Sequence, residues 1–313
     1  MAGYIVRRLL STIIVMVLVG VFVFLLLHIA PGDPAAIIAG DNATPAEIVA
    51  IRHQLGLADP LSVQFARWFW HLLQGNFGIS IFSDTPVITL VGQRLPATLS
   101  LTALTIGFAV VIAVAAGVLA AWQAGGWLDG FLMGFAALGF STPVFVVGYF
   151  LIYLFAIRLH WLPVEGYVPL RDGLWPWFSH LILPAIALGL AYVALIARIT
   201  RASMLEVLAE DYIRTARAKG ASSNSVLFHH ALKNAGVPIV TVIGIGFALL
   251  ISGVVVTETV FNIPGIGRLA VDAITNRDYP IIQGVMVIFS GAYVIINLLV
   301  DLSYALIDPR VHY

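Results

Sequence analysis

Residues 211–220 read Asp-Tyr-Ile-Arg-Thr-Ala-Arg-Ala-Lys-Gly, a basic, glycine-ended stretch set between two long apolar runs. This is the chemistry of a docking surface rather than of bond-making. Arg214, Arg217 and Lys219 offer charge, while Thr215, Ala216 and Ala218 are small enough for a partner to come close. Gly220 can take the left-handed conformation that ends a helix and turns the chain. Glu258 and Asp301 stand at or near the ends of other apolar runs, where an ionisable group is costly enough to be a functional candidate by default. Gly265-Ile266-Gly267 superficially resembles a dinucleotide loop, but it precedes no parallel-sheet pattern and is read as a tight turn. The two lysines, Lys219 and Lys233, are followed by Gly and Asn, so the phosphate-binding G-x-x-x-x-G-K-[ST] motif is absent and the chain is not expected to hydrolyse nucleotide itself. There is no cysteine, which removes disulfides, thiolate metal sites and a cysteine nucleophile. No His-rich cluster marks a metal site, and His28 is read as an interface residue. A hydrolase within the membrane would need a nucleophile and base, or a metal pair, and neither is found.

The elements that must hold these residues are membrane spans. Over 313 residues, 60% are hydrophobic and 10% charged, and the mean hydropathy is +1.00. That is more apolar surface than a soluble core of this size could hide. The formal net charge is zero, which argues against nucleic-acid binding. Apolar runs long enough to span lie at about 9–30, 96–121, 131–156, 181–200, 236–258 and 282–306. The first follows Arg7-Arg8 like a signal peptide, but it is longer than the roughly 7–15 residues of such a stretch and is expected to remain as a span. Arg7 and Arg8 precede it, and Arg198, Arg201, Arg214, Arg217, Lys219 and Lys233 crowd the segment between the fourth and fifth spans. Both regions are expected in the cytoplasm. The reading is a single membrane domain, 1–313, with both termini inside.

The outer segment, 31–95, is patterned. Thr44-Pro45-Ala46-Glu47 is a capping box with Pro at the first helical position, predicting a short helix to about Leu55. Another begins after Asp59-Pro60, carries Phe65, Trp68, Phe69 and Leu72 at helical spacing and stops at Gly75. It is read as an interfacial scaffold, with Trp68 and Trp70 suited to the membrane boundary.

In the cytoplasmic loop, 201–235, Leu205, Leu208, Ala209, Tyr212, Ile213 and Ala216 recur at three and four, opposite Glu206, Glu210, Arg214 and Arg217. This spacing predicts one amphipathic helix over 203–219, opened by a Ser203/Glu206 capping box, braced by a Glu210–Arg214 pair and stopped by Gly220. A second short helix is expected over 222–234. The pair folded about a glycine makes a compact knob. By charge alone such a helix could equally rest on anionic lipid.

On these residues the chain resembles the permease subunits of binding-protein-dependent ABC importers, in the dipeptide, oligopeptide and nickel branch, as its first permease. Those permeases carry a cytoplasmic loop of the form E-A-A, then G four residues on, then I-x-L-P. Here Arg214-Thr215-Ala216 with Gly220 matches at the second Ala and at the Gly. Of the I-x-L-P positions only Leu232 is kept, with His230 and Lys233 replacing Ile and Pro. The likeness runs along the chain through Ala30-Pro31-Gly32-Asp33-Pro34, Gly75-Asn76-Phe77-Gly78, Trp161-Leu162-Pro163, Glu258 with Pro264-Gly265-Ile266-Gly267, Arg277-Asp278-Tyr279-Pro280 and Asp308-Pro309-Arg310.

The resemblance implies a six-helix, all-α type I importer fold that pairs as a heterodimer with a second homologous permease. Two ATPase subunits, binding ATP and Mg, would dock on the loop through Tyr212, Arg214, Thr215, Ala216, Lys219, Gly220 and Leu232. A solute-binding protein would deliver peptides or similar solutes from outside. ATP binding would draw the two loops together and open the path outward, and hydrolysis would reset it. The fifth span, with Thr241, Gly244, Ser252, Thr257 and Glu258, is expected to line the path in a bacterial inner membrane. A proton-coupled carrier using Glu258 and Asp301 is the alternative.

Overall fold

A chain with this much apolar surface must pair its backbone polar groups within itself, and helices do so locally. The computed structural model describes residues 2–29, 33–39, 43–54 and 56–307. In chain order the helices are α1 (Ala2–Ile29), α2 (Pro34–Ala39), α3 (Pro45–Gln54), α4 (Leu61–Leu73), α5 (Val87–Trp122), α6 (Trp127–Ser141) and α7 (Val144–Leu151), which continues as a π-helical stretch, Ile152–Arg158. Then come α8 (Leu174–Leu208), α9 (Asp211–Ala218), a π-helical stretch Ser225–Ala231 running into α10 (Leu232–Asn234), α11 (Gly236–Val260), α12 (Ile266–Asn276) and α13 (Tyr279–Ile307). Among the described residues the sole strand-like pairing is an isolated bridge between Ile79 and Pro86. The all-α expectation holds. Residues 30–32, Leu55 and the Asp308-Pro309-Arg310 motif lie outside the described residues, as do the side chains of His28 and Ser252.

Length and hydropathy mark α5, α8 and Tyr279–Asp301 of α13 as able to cross a membrane, and two bent pairs raise the number to five if each pair is one span. Within α1 the apolar stretch is Leu10–Leu25. One of the six apolar runs is sharply bent. The run 131–156 is not one helix: Trp127–Ser141 and Val144–Arg158 meet at 103°. The cause is Pro143, which donates no amide and pushes Thr142 out of the helical region, to φ −91°, ψ 126°. Ser141 and Thr142 turn their hydroxyls back to the carbonyls of Ala137 and Leu138 at 2.9 and 2.8 Å. Pro96 and Pro184, by contrast, sit inside α5 and α8 without ending them.

The described residues gather into two compact units. One is built mainly from Pro96–Arg268, with α13 from Ile295 to its end at Ile307. Its core surrounds α8, whose Leu181, Leu188, Ile196 and Ala197 pack with Leu101 of α5, Leu151 of α7 and Leu250 and Val254 of α11. Small residues set these approaches, as membrane helices require. A Cβ at Gly117 would stand 2.6 Å from that of Thr200 and 2.8 Å from the carbonyl of Ala197.

The other unit comprises Val6–Leu95 and Leu269–Val294. There α4 lays its aromatic face on α1: the ring of Phe24 meets Phe65 edge-on at 5.4 Å and Trp68 at 5.9 Å. Trp68 is thus a packing residue, while Trp70 remains exposed. Gly75 stops α4 region at φ 77°, as expected. A hairpin at 78–87 reaches the start of α13, where the Ser80 hydroxyl donates to buried Asp278 at 2.6 Å.

The Thr44–Glu47 capping box closes as predicted. The Thr44 amide and hydroxyl both donate to Glu47 Oε2, at 2.7 and 2.9 Å, and the Glu47 amide donates back to Thr44 Oγ1 at 3.4 Å. These bonds, the backbone one foremost, hold the Glu47 carboxyl below its ordinary range. Because the folded value is depressed, the box's contribution is complete above the ordinary carboxylate range and disappears as pH falls through the lowered one. In Thr44→Ala the Glu47 carboxyl, followed by carbon NMR shift, should titrate at higher pH than in wild type.

Candidate functional site

The cytoplasmic loop folds around one isoleucine. In α9, Ile213 is fully buried, within a cluster of Met204 from α8, Val118 and Ala121 from α5, Val226, Leu227 and Ala231 from the π-helical stretch, and Ile239 from α11. Four elements therefore share one apolar anchor, and the knob is fixed to the helices that carry it. Truncating it should cost about 2–4 kcal/mol of local packing. Ile213→Ala should open the bond after Arg217 or Lys219 to trypsin while sites in the outer segment stay as in wild type.

Tyr212, Arg214, Thr215, Arg217, Ala218, Lys219 and Gly220 are exposed, and Ala216 is half-buried. The Tyr212 hydroxyl accepts a bond from Asn234 Nδ2 at 2.9 Å, and the same nitrogen donates to the His230 carbonyl at 2.7 Å, tying α9 to α10. Leu232 is partly buried against the knob's own core. Gly220, at φ 86°, ends α9. The Ala221 amide donates to the Ala216 carbonyl at 3.1 Å and the Gly220 amide to that of Arg217 at 3.0 Å. This is the two-bond helix stop for which glycine is preferred.

Two expectations for the loop are corrected. Ser203 and Glu206 do not open a helix: α8 runs unbroken through them to Leu208, because Ser203 and Met204 are buried in its packed face. The break falls at Ala209-Glu210, and Glu210 is extended there, at ψ 147°, as the residue preceding α9. Arg214 accordingly pairs with Asp211, at 3.3 Å, instead of Glu210. Both side chains are largely exposed, so this pair adds little.

Between α6 and α8 lies an ion pair that sequence reasoning missed. Arg201 of α8 grips Asp129 of α6 through two parallel bonds, Nε to Oδ1 and Nη2 to Oδ2, both 2.6 Å. The Gly125 amide donates to Oδ2 at 2.9 Å. The signal available was a lone acid in a turn otherwise without charge.

Of the residues expected on a path, Thr241 is half-buried and returns its hydroxyl to the Val237 carbonyl at 2.7 Å. The space at Gly244 is filled by Val300. Thr257 and Glu258 are sealed inside, with 1% and 0% exposure. Glu258 accepts from the Thr98 hydroxyl and the Arg268 amide, which leaves the carrier reading without support.

Residues 113–313 match the family described as binding-protein-dependent transport system inner membrane component, and residues 1–102 match that of its N-terminal part. The chain belongs to this family of inner-membrane permeases. It is 63% identical, over the whole length of both chains, to a protein of Sinorhizobium fredii named as a probable peptide ABC transporter permease. It is 44% identical, again full length, to the glutathione transport system permease protein of Shigella flexneri. Among solved structures it resembles the MetNI methionine ABC transporter in inward-facing conformations, with TM-score 0.60 and 18% identity over 71% of this chain and 97% of that one. That likeness bears on the fold, the type I importer arrangement. This chain is a membrane permease component of an ABC importer and not itself an enzyme.

Proposed function

We propose that this permease forms, with a second homologous permease, a path for dipeptides, oligopeptides or similar small solutes handed over by a solute-binding protein. Two ATPase subunits, holding ATP and Mg, dock on the exposed face of α9 around Arg214, Thr215, Lys219 and Gly220. With the knob in the cytoplasm, both termini lie on the same side. The knob carries the drive because its single apolar anchor joins α9 to α5, α8 and α11, so a push on α9 is delivered to the helices and not absorbed by a loose loop. The path is assigned to α11, with Thr241 facing it. The observation that carries the substrate class is the full-length likeness to a permease named for peptides.

The test is isolation through a tag on this chain from mildly solubilised membranes. Vanadate-sensitive ATP hydrolysis in the isolate, with ATP-driven uptake of a labelled dipeptide after reconstitution, is the expected result. ATP-driven uptake of no peptide, neither the dipeptide nor a longer one, would overturn the substrate class; an isolate with no ATPase partner would overturn the docking.

A further inference from the structure

A buried carboxylate is expensive in an apolar chain unless each oxygen is matched. Glu258 is so matched. Its Oε1 accepts from the Thr98 hydroxyl at 2.6 Å, and its Oε2 accepts from the Arg268 amide at 2.9 Å. Thr98 in turn accepts from the Ile266 amide at 2.8 Å. With its hydrogen committed to Glu258 and its lone pair to Ile266, Thr98 bridges the acid to the first turn of α12. The exposed amides of a helix start are where a carboxylate is favoured.

Gly265 and Gly267 exist for this contact. A Cβ at Gly265 would overlap the Glu258 carboxylate, and one at Gly267 would stand 2.8 Å from Val255 Cα and 3.0 Å from Glu258 Oε2. The G-x-G that superficially resembles a nucleotide loop cradles the chain's own acid. The Ile263 amide donates to the Glu258 carbonyl at 2.8 Å, and the Gly166 amide to the Phe261 carbonyl at 2.9 Å. Residues far apart in sequence, at 98, 258 and 266–268, are thus stapled at one point, and Gly166 is tied to Phe261, three residues beyond Glu258.

We propose that Glu258 and Thr98 form a latch that makes the turn of α5 at Thr98, the end of α11 and the first turn of α12 move as one body, and that transport depends on it staying closed. Glu258 is a positioning residue here, acting through the segments it holds. The proposal rests on the importer reading above.

The test uses the complete complex, reconstituted with its binding protein, carrying Thr98→Ser, Thr98→Val or Glu258→Gln. Thr98→Ser keeps the bridging hydroxyl and should transport like wild type. Thr98→Val and Glu258→Gln should assemble and retain basal ATP hydrolysis within about twofold. Their uptake per assembled complex should fall roughly tenfold, the scale of one buried hydrogen bond lost, as a drop in maximal rate and not in apparent affinity for the loaded binding protein. Wild-type uptake in both, or a loss of hydrolysis and uptake in equal proportion, would overturn the latch alone. A wild-type complex with no ATP-driven uptake would overturn the importer reading and the latch with it.

Discussion

Gly220→Asp should abolish coupled uptake, by tenfold or more, while the purified complex keeps its ATP hydrolysis and its unfolding temperature. The residue ends α9 at φ 86°, and a Cβ built there meets nothing within 4 Å, so no overlap is created. What the substitution changes is conformational preference and charge. A left-handed conformation costs an ordinary L-residue about 1–2 kcal/mol, less for Asn and Asp. Asp also sets a negative charge beside Arg217 and Lys219 on the exposed face proposed to meet the ATPase. Gly220→Asn separates the two effects, since it shares the shape and tolerates the same backbone without charge. Uptake in Asn within a few-fold of wild type, with Asp inactive, is the expected pattern. Gly220→Val, with a branched side chain at positive φ, should unwind the stop and release the amides of Gly220 and Ala221 from α9. Normal uptake in Gly220→Asp would sink the assignment of this knob.

Local signals were legible where the structure they dictate is local. Thr44 and Glu47 place the start of α3, Asp59-Pro60 and Gly75 bracket α4, and Gly220 ends α9, because each acts through backbone groups within a few residues. Where burial outranks such signals the reading fails. Ser203 and Glu206 spell a capping box, yet α8 continues through them because Ser203 and Met204 face its packed side. Thr142-Pro143 holds the information for the 103° bend, but an apolar run tolerant of Pro elsewhere, as at Pro96 and Pro184, conceals which proline breaks. Glu258 and Asp129 are a different case. Their partners, Thr98 and Arg201, are 160 and 72 residues distant, so nothing near either acid announces what it holds. The glycines at 265 and 267 are visible as a motif, and only the folded chain says which anion they admit.

Breaking the Asp129–Arg201 pair should cost more than removing it. The Asp129 side chain is 7% exposed and that of Arg201 28%, so Arg201→Met leaves a nearly buried carboxylate with the Gly125 amide for support. Loss of one partner of such a pair costs about 3 kcal/mol, whereas replacement of both by apolar groups is often close to neutral. Asp129→Leu combined with Arg201→Met should therefore be more stable than Arg201→Met alone, read as the unfolding temperature of the solubilised complex. Transport should not recover in step. Arg201 lies two turns before the end of α8, and its fork fixes α8 against the start of α6. Apolar contacts restore cohesion without the bidentate geometry that sets one register. The double variant should be stable yet slow in uptake. Equal recovery of stability and uptake would reduce the pair to simple cohesion, and a double variant no more stable than Arg201→Met would show that the buried charge is not what the single substitution exposes.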